Sequence, residues 1–102
     1  MTLGSAFNVS ALNAEYEAWK DGANLHLHFK APLSANASSD GMVEIGAIKN
    51  DYFTKSGVER NLTCVVGVGE ARPMLISAGG TVSVYVKSTD TTSTFFKFDL
   101  VI

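Results

Sequence analysis

The segment Asn24-Leu25-His26-Leu27-His28-Phe29-Lys30 alternates apolar and polar side chains from its second residue onward. Successive side chains of a β-strand point to opposite faces, so the leucines and Phe29 share one face and the histidines and Lys30 share the other. This alternation predicts an antiparallel strand with one buried face. Asp21-Gly22 before it suits a tight turn, and Ala31-Pro32 is expected to end it because proline donates no ladder hydrogen bond.

Downstream, alternation or a run of β-branched residues predicts five more strands, at 42–48, 62–68, 74–77, 81–86 and 95–102. Gly79-Gly80 is expected to form a two-residue hairpin turn before the strand at 81–86. The Ser/Thr/Asp-rich run 88–94 predicts a solvated loop. The last strand carries four apolar side chains on one face, which predicts that the end of the chain is held in the sheet.

Two of these strands have irregular patterns. Gly67 and Gly69 interrupt or follow a β-branched run, where glycine usually marks a bulge or a close backbone approach. In 42–48, Ile48 falls on the opposite face from Val43 and Ile45. The pattern is therefore compatible with burial of either face of that strand.

The N-terminal part fits two structures. Ser10 is a suitable cap for a short helix that carries Leu12, Tyr16 and Trp19 on one stripe. Alternatively, 15–20 forms the first arm of a hairpin that turns at Asp21-Gly22, and this hairpin is favoured. We expect residues 1–16 to be a lead-in, either a short helix or a linker, and residues 17–102 to form a β-sandwich domain.

Composition limits the classes of function. The chain has 102 residues, of which 46% are hydrophobic and 18% charged, and is expected to form one packed domain. A formal net charge of −2 argues against a nucleic-acid partner. Without a basic start or an apolar stretch of roughly 20 residues, we expect no export signal and no membrane insertion. The single cysteine, Cys64, is expected to be a small buried hydrophobe.

The fold class follows from the spacing of strands and turns. Short predicted strands separated by turn signals about every ten residues favour an all-β protein over a βαβ arrangement. We therefore predict an antiparallel β-sandwich or barrel.

Three passages occur in an informative order. The first is Trp19-Lys20-Asp21-Gly22-Ala23-Asn24-Leu25-His26-Leu27, an aromatic and lysine step into a turn and an alternating strand. The second is Val43-Glu44-Ile45-Gly46-Ala47-Ile48 followed by Asp51-Tyr52-Phe53-Thr54, and the third is the hairpin Met74-Leu75-Ile76-Ser77-Ala78-Gly79-Gly80-Thr81-Val82-Ser83-Val84. With the aromatic-rich final strand, they resemble the C-terminal receptor-binding head domain of bacteriophage tail-fibre and baseplate proteins, over about residues 17–102.

The resemblance implies a small trimeric β-sandwich or jelly roll that binds a bacterial cell-surface saccharide. It also implies a place in the virion, at the tail tip, fibre or baseplate, and contact with other virion tail proteins. Two prolines of the family pattern are replaced by Lys49 and Thr54. Lactococcal members place a histidine and an acid before the hairpin turn, whereas Met74-Leu75-Ile76-Ser77 holds neither, so their site residues do not carry over.

The sequence contains no recognisable catalytic motif. Ser77-Ala78-Gly79 lacks the glycines that flank a nucleophile elbow, and there is neither a glycine-rich phosphate loop nor a paired cysteine motif. We therefore expect a non-enzymatic protein without a cofactor.

Five residues are candidates for ligand binding. Trp19, Tyr52 and Phe53 lie beside predicted turns, and their rings suit stacking on the apolar face of a sugar, with core packing or subunit contact as the alternative. Glu70 and Arg72 are predicted to lie in a loop before Pro73, either as an exposed ion pair or as part of a saccharide-binding rim.

His26 and His28 are the two histidines of the chain. At i and i+2 on a strand their rings point the same way, as a metal-binding pair requires. Two ligands do not make a site, and the favoured interpretation is two solvated histidines on the polar face of a sheet.

Two other functions fit the same sequence. A phage structural protein that decorates the capsid or assembles the baseplate would bind protein rather than sugar. A small carbohydrate-binding module of a cellular protein would require its aromatic rings to be exposed in a row.

Overall fold

The computed structural model describes residues 1–48 and 59–102, and every helix or strand within this part of the chain is a β-strand. The strands are β1 (Thr2–Leu3), β2 (Glu15–Asp21), β3 (Asn24–Pro32), β4 (Gly41–Ala47), β5 (Arg60–Val66), β6 (Glu70–Ile76), β7 (Thr81–Val86) and β8 (Phe95–Val101). They form one antiparallel sheet in the order β1-β4-β7-β6-β5-β8-β3-β2. The predicted all-β, antiparallel class is confirmed.

The first arm of the favoured N-terminal hairpin is strand β2. It pairs with β3 from Glu15 opposite Lys30 to Asp21 opposite Asn24. Gly22 in the turn has a φ of 60°, in the left-handed region that glycine enters without a steric cost. The alternative of a helix beginning at Ser10 is wrong, because the stripe residues Tyr16 and Trp19 lie on this strand.

The central pair of the sheet's second half is β3 with β8. The backbone N–H of Leu25 donates to Ile102 O at 2.6 Å, and the N–H of Ile102 donates to Leu25 O at 2.9 Å. Phe29 and Phe96, on the inner faces of the two strands, are fully buried. The prediction that the end of the chain is held in the sheet is therefore confirmed.

A bulge settles which face of β4 is buried. β4 pairs with β7, and the register shifts between Glu44 and Gly46, so Ile45 is an extra residue on the bulged strand. The bulge reverses the alternation after Ile45. As a result Ile45 and Ile48, which the sequence pattern placed on opposite faces, are both buried in the core.

The two remaining hairpins differ from the sequence predictions in detail. Gly67 and Gly69, with φ of 61° and 131°, form the turn between β5 and β6 rather than a bulge within a strand. Ile76 pairs with Val82, and Ser77 N–H donates to Thr81 O at 2.9 Å, so the loop before β7 has the three residues 78–80. It is not the predicted two-residue turn.

The core lies inside the curl of the sheet. Phe7, from the segment after β1, packs edge-on against Phe29 and Phe96, with ring centroids 5.7 Å and 5.3 Å apart. The two edges of the sheet come together at one hydrogen bond. The Tyr16 hydroxyl, on edge strand β2, donates to the carbonyl oxygen of Met1, which precedes edge strand β1, at 3.3 Å. Cys64 is 1% exposed and lies in the core, as predicted.

Candidate ligand-binding face

The solvent-facing side of β2, β3 and β8 carries the most varied group of polar and aromatic side chains. We call it the outer face, and its members are Glu15, Glu17, Trp19, His26, His28, Lys30, Lys97, Asp99 and Val101. Strand register sorts them into rows that cross the three strands. Directly opposite residues of an antiparallel pair have side chains close enough to touch, so each row acts as a unit.

The first row contains an ordered aromatic stack. Trp19 lies opposite His26, and their rings are parallel to within 4°, with centroids 4.7 Å apart. Trp19 is still 47% exposed, whereas large aromatic side chains are usually mostly buried. Within the described part of the chain, the His26 Nε2 atom is buried without a hydrogen bond, and the nearest carboxylate oxygen, Asp21 Oδ2, is 3.9 Å away. The stack therefore holds the indole against the His26 ring while much of it faces solvent.

A recess of about 130 Å³ lies beside this stack. It is lined by Trp19, His26, Leu27, His28, Asp99, Leu100 and Val101. The lining joins an aromatic ring and an exposed aliphatic side chain, that of Val101, to a carboxylate and two histidines. These are the groups that together contact the apolar face and the hydroxyls of a sugar.

The second row is Glu17, His28 and Asp99, and the His28 ring lies between two carboxylates, that of Asp99 in its own row and that of Glu15, which is diagonally across on β2. The Nδ1 atom of the ring forms a close hydrogen bond with Asp99 of β8, and its Nε2 atom lies 3.3 Å from Glu15 Oε1 of β2. The hydrogen bond to Asp99, and then that to Glu15, raise the pKa of His28, and partial burial opposes them. When the ring is protonated, both N–H groups donate to carboxylates, which links β2, β3 and β8.

The third row, Glu15, Lys30 and Lys97, lies at the other end of the outer face. A second recess opens beside it. This recess has a volume of about 380 Å³ and is lined by Asn13, Lys30, Gly67, Val68, Ser93 and Phe95. A third recess of about 310 Å³, between residues 5–6 and the loop 33–39, has no aromatic side chain in its lining.

Glu70 and Arg72 lie on strand β6 and not in the predicted loop. Arg72 is an inward-facing residue and is 4% exposed. Its Nη1 and Nη2 atoms donate to the two carboxylate oxygens of Asp90 at 2.8 Å and 3.0 Å, and Nη1 also donates to Tyr85 O at 3.2 Å. β6 pairs with β7 only from Met74 onward, and the residue before Met74 is Pro73, which has no N–H to donate. Arg72 therefore lies in the part of β6 that is not paired with β7.

Glu70 completes this cluster at its solvent side. Its carboxylate accepts from Arg72 Nη2 at 3.1 Å and from Lys87 Nζ at 2.8 Å. The hydrogen bond from Arg72, and then that from Lys87, lower the pKa of Glu70 to about 2. The Nη1 and Nη2 donors of Arg72 are thus taken by protein acceptors, whereas its Nε atom has no hydrogen-bond partner among the described residues. The cluster joins β6 to the loop that carries Asp90.

Sequence reasoning missed Asp90, which is 5% exposed inside the run that was predicted to be solvated. The hydrogen bond from Arg72 lowers the pKa of Asp90. Its Oδ2 atom also accepts from Lys87 N–H at 2.9 Å, and its carbonyl accepts from Ala37 N–H at 3.0 Å. No local pattern connects Asp90 with Arg72, because they meet only when the 87–94 loop folds over the sheet.

The other predicted site residues and sites have simpler outcomes. Tyr52 and Phe53 lie outside the described residues. His26 stacks on Trp19 and His28 binds carboxylates, and residues 1–48 and 59–102 contain no group of three or more potential ligands arranged for a metal ion. The same ranges contain no helix long and apolar enough to cross a membrane.

No protein-family model, curated protein or solved structure matches this chain.

Proposed function

We propose that this domain is a non-enzymatic adhesion module that binds a bacterial cell-surface saccharide on its outer face, as the head of a phage receptor-binding protein does. The observation that carries the proposal is the Trp19–His26 stack, with parallel rings and a Trp19 that is 47% exposed. The support for the phage setting is the order of sequence passages that resembles those head domains.

The stack suits sugar binding for an energetic reason. A sugar ring gains most from an aromatic partner that is already fixed, because ordering a free side chain on binding costs about 0.5–1.5 kcal/mol. His26 holds the indole in one orientation before the ligand arrives. Asp99, at the edge of the same recess, offers a carboxylate to hydroxyl groups.

The proposal includes a quaternary structure. In it, the halves β1-β4-β7-β6 and β5-β8-β3-β2 of the curled sheet act as the two layers of a sandwich. Three copies associate through exposed apolar side chains outside the recesses of the outer face, such as Leu12. A small domain without a disulfide gains stability from such contacts. The measurement is the mass in solution at high concentration, and a strictly monomeric chain would contradict the trimer.

Trp19 gives the binding site a direct test, because it is the single tryptophan of the chain. The labelled protein is applied to an array of bacterial glycans, and each bound glycan is titrated while Trp19 fluorescence and its quenching by iodide are followed. We expect the glycan to protect the indole from iodide, and Trp19→Ala to weaken binding at least about tenfold, as loss of a stacking partner does.

Met42→Ala is the matched control, since Met42 is 45% exposed on β4, at the other side of the sheet order. It is expected to leave glycan binding unchanged. Equal losses in both variants, or binding without iodide protection, would refute the Trp19 site. Labelling of purified virions but not of bare host cells would instead support a capsid-decorating or baseplate-assembly protein.

A further inference from the structure

The third row of the outer face contains two lysines directly opposite each other. Lys30 of β3 pairs with Lys97 of β8. Like charges at directly opposite positions of an antiparallel pair destabilise the sheet. The repulsion between the two lysines thus lowers the stability of the unliganded domain.

Among residues 1–48 and 59–102, only one of these lysines has a neighbouring acid that compensates its charge. Glu15 of β2 lies opposite Lys30, with its Oε2 atom 3.7 Å from Lys30 Nζ. On the other side of Lys97 the opposite residue is Val65 of β5, which carries no charge. The nearest acid along β8 is Asp99, and its carboxylate binds His28. The row therefore has a net positive charge centred on Lys97.

The recess of about 380 Å³ opens beside this row. Lys30 contributes its ammonium group, which lies 5.8 Å from the centroid of the Phe95 ring. Asn13 and Ser93 add an amide and a hydroxyl to the lining. A ring, two neutral polar side chains and a cation suit a sugar that carries a negative charge.

This recess and the Trp19 recess lie on one continuous face. Along β3, the residue opposite Trp19 is His26 and the residue opposite Phe95 is Pro32, so the two rings are six residues apart. At a rise of about 3.4 Å per residue, the separation is about 20 Å. An elongated ligand is able to contact both ends.

We infer that the recess around Lys30 and Phe95, with Lys97 beside it, binds the carboxylate or phosphate of an acidic saccharide. This inference rests on the proposed function, in which the same saccharide stacks on Trp19. The negative group neutralises the lysine row, and the sugar that carries it lies against the Phe95 ring.

Two pairs of probes test the inference, with binding measured by calorimetry. Tetragalacturonate is compared with its methyl ester, and phosphorylated maltotetraose with maltotetraose, so that each acidic probe has a neutral counterpart. We expect at least one acidic probe to bind about five- to tenfold more tightly than its counterpart, with an affinity that falls as salt is added. The pair that shows the preference identifies carboxylate or phosphate.

Variants of Lys97 separate the site from a general charge effect. Lys97→Gln and Lys97→Glu are expected to abolish the preference for the acidic probe. Lys87→Gln removes the same charge from another part of the surface, where Lys87 binds Glu70, and is expected to keep the preference. Lys97→Glu also places an acid opposite Lys30, so it should unfold at a higher temperature than the wild type, which excludes misfolding as the cause of lost binding.

The outcomes distinguish the two proposals. If Trp19→Ala abolishes binding of every probe but no acidic probe is preferred, or if Lys97→Glu keeps the preference, the acidic subsite is wrong and the saccharide site at Trp19 stands. If no probe's affinity depends on Trp19, the proposed function fails. A preference for acidic probes that depends on Lys97 but not on Trp19 would support the subsite alone.

Discussion

Replacing Asp90 with asparagine removes the charge that the buried Arg72 guanidinium binds, while it keeps the size of the side chain. In the wild type, two charge-assisted hydrogen bonds of 2.8 Å and 3.0 Å join the groups, and the residues are 4% and 5% exposed. Breaking a buried ion pair from one side costs about 3–5 kcal/mol, because the remaining charge stays desolvated. Glu70 still contacts Arg72, so we expect a loss near the lower end, about 3 kcal/mol.

The assay is urea unfolding followed by far-UV circular dichroism, together with a thermal scan. For a domain of this size, a loss of about 3 kcal/mol corresponds to a fall in Tm of roughly 15 °C. Lys87→Gln is the control, since it breaks only the exposed ion pair with Glu70 and should cause a much smaller loss. Adding Arg72→Met to the Asp90→Asn variant should recover much of the stability, because no buried charge then remains.

The same pair has a defined dependence on pH. The folded pKa of Asp90 is lowered by Arg72, so its stabilising effect is complete above the unfolded value near 3.9. The effect is lost as the pH falls through the folded value. The stability difference between wild type and Asp90→Asn should therefore shrink in acid. An Asp90→Asn variant as stable as Lys87→Gln at neutral pH, or a double variant without recovery, would refute the reasoning.

Three further predictions concern other parts of the fold. The pKa of His28 is raised in the folded state, so its contribution to the free energy of unfolding is complete below about pH 6.5 and is lost as the pH rises through the folded value. In urea titrations at a series of pH values, His28→Gln should remove this loss of stability. An unchanged loss in the variant would show that another group causes it. Gly46→Ala would place a Cβ 2.3 Å from Thr2 O, so it should detach β1 and speed hydrogen exchange at Gly4 N–H, whereas Gly79→Ala, which meets nothing closer than 3.9 Å, should not. Cys64 is buried, which raises its pKa to about 11, so a thiol reagent at pH 8 should label it only as fast as the domain opens; rapid labelling of the native protein would place the thiol outside the core.

The sequence predicted those parts of the fold that depend on local alternation. The period of two in β3 and the aromatic spacing in β8 each identify a strand and its buried face, because burial on one side of a sheet requires that spacing. The hairpin from β2 to β3 was also predictable, since Gly22 supplies the positive φ of its turn, although the turn residues are Gly22 and Ala23 rather than Asp21-Gly22. The pattern failed at β4, where the bulge at Ile45 reverses the alternation and depends on the pairing partner.

The candidate site was predictable only in its components. Trp19 and the two histidines were visible as an aromatic residue beside a turn and as the polar face of a strand. Their contacts depend on register: Trp19 meets His26 across one strand pair, and His28 meets Asp99, 71 residues away, across another.

By itself, then, the sequence determined the strands that alternate regularly, the tight turns and the all-β class, because these follow from the preferences of neighbouring residues. The tertiary structure decided which strands are neighbours. That choice buried Arg72 against Asp90, set Lys30 opposite Lys97 and left Trp19 exposed on its histidine. Such pairings have no local signal, because their energy arises only when distant strands share one sheet.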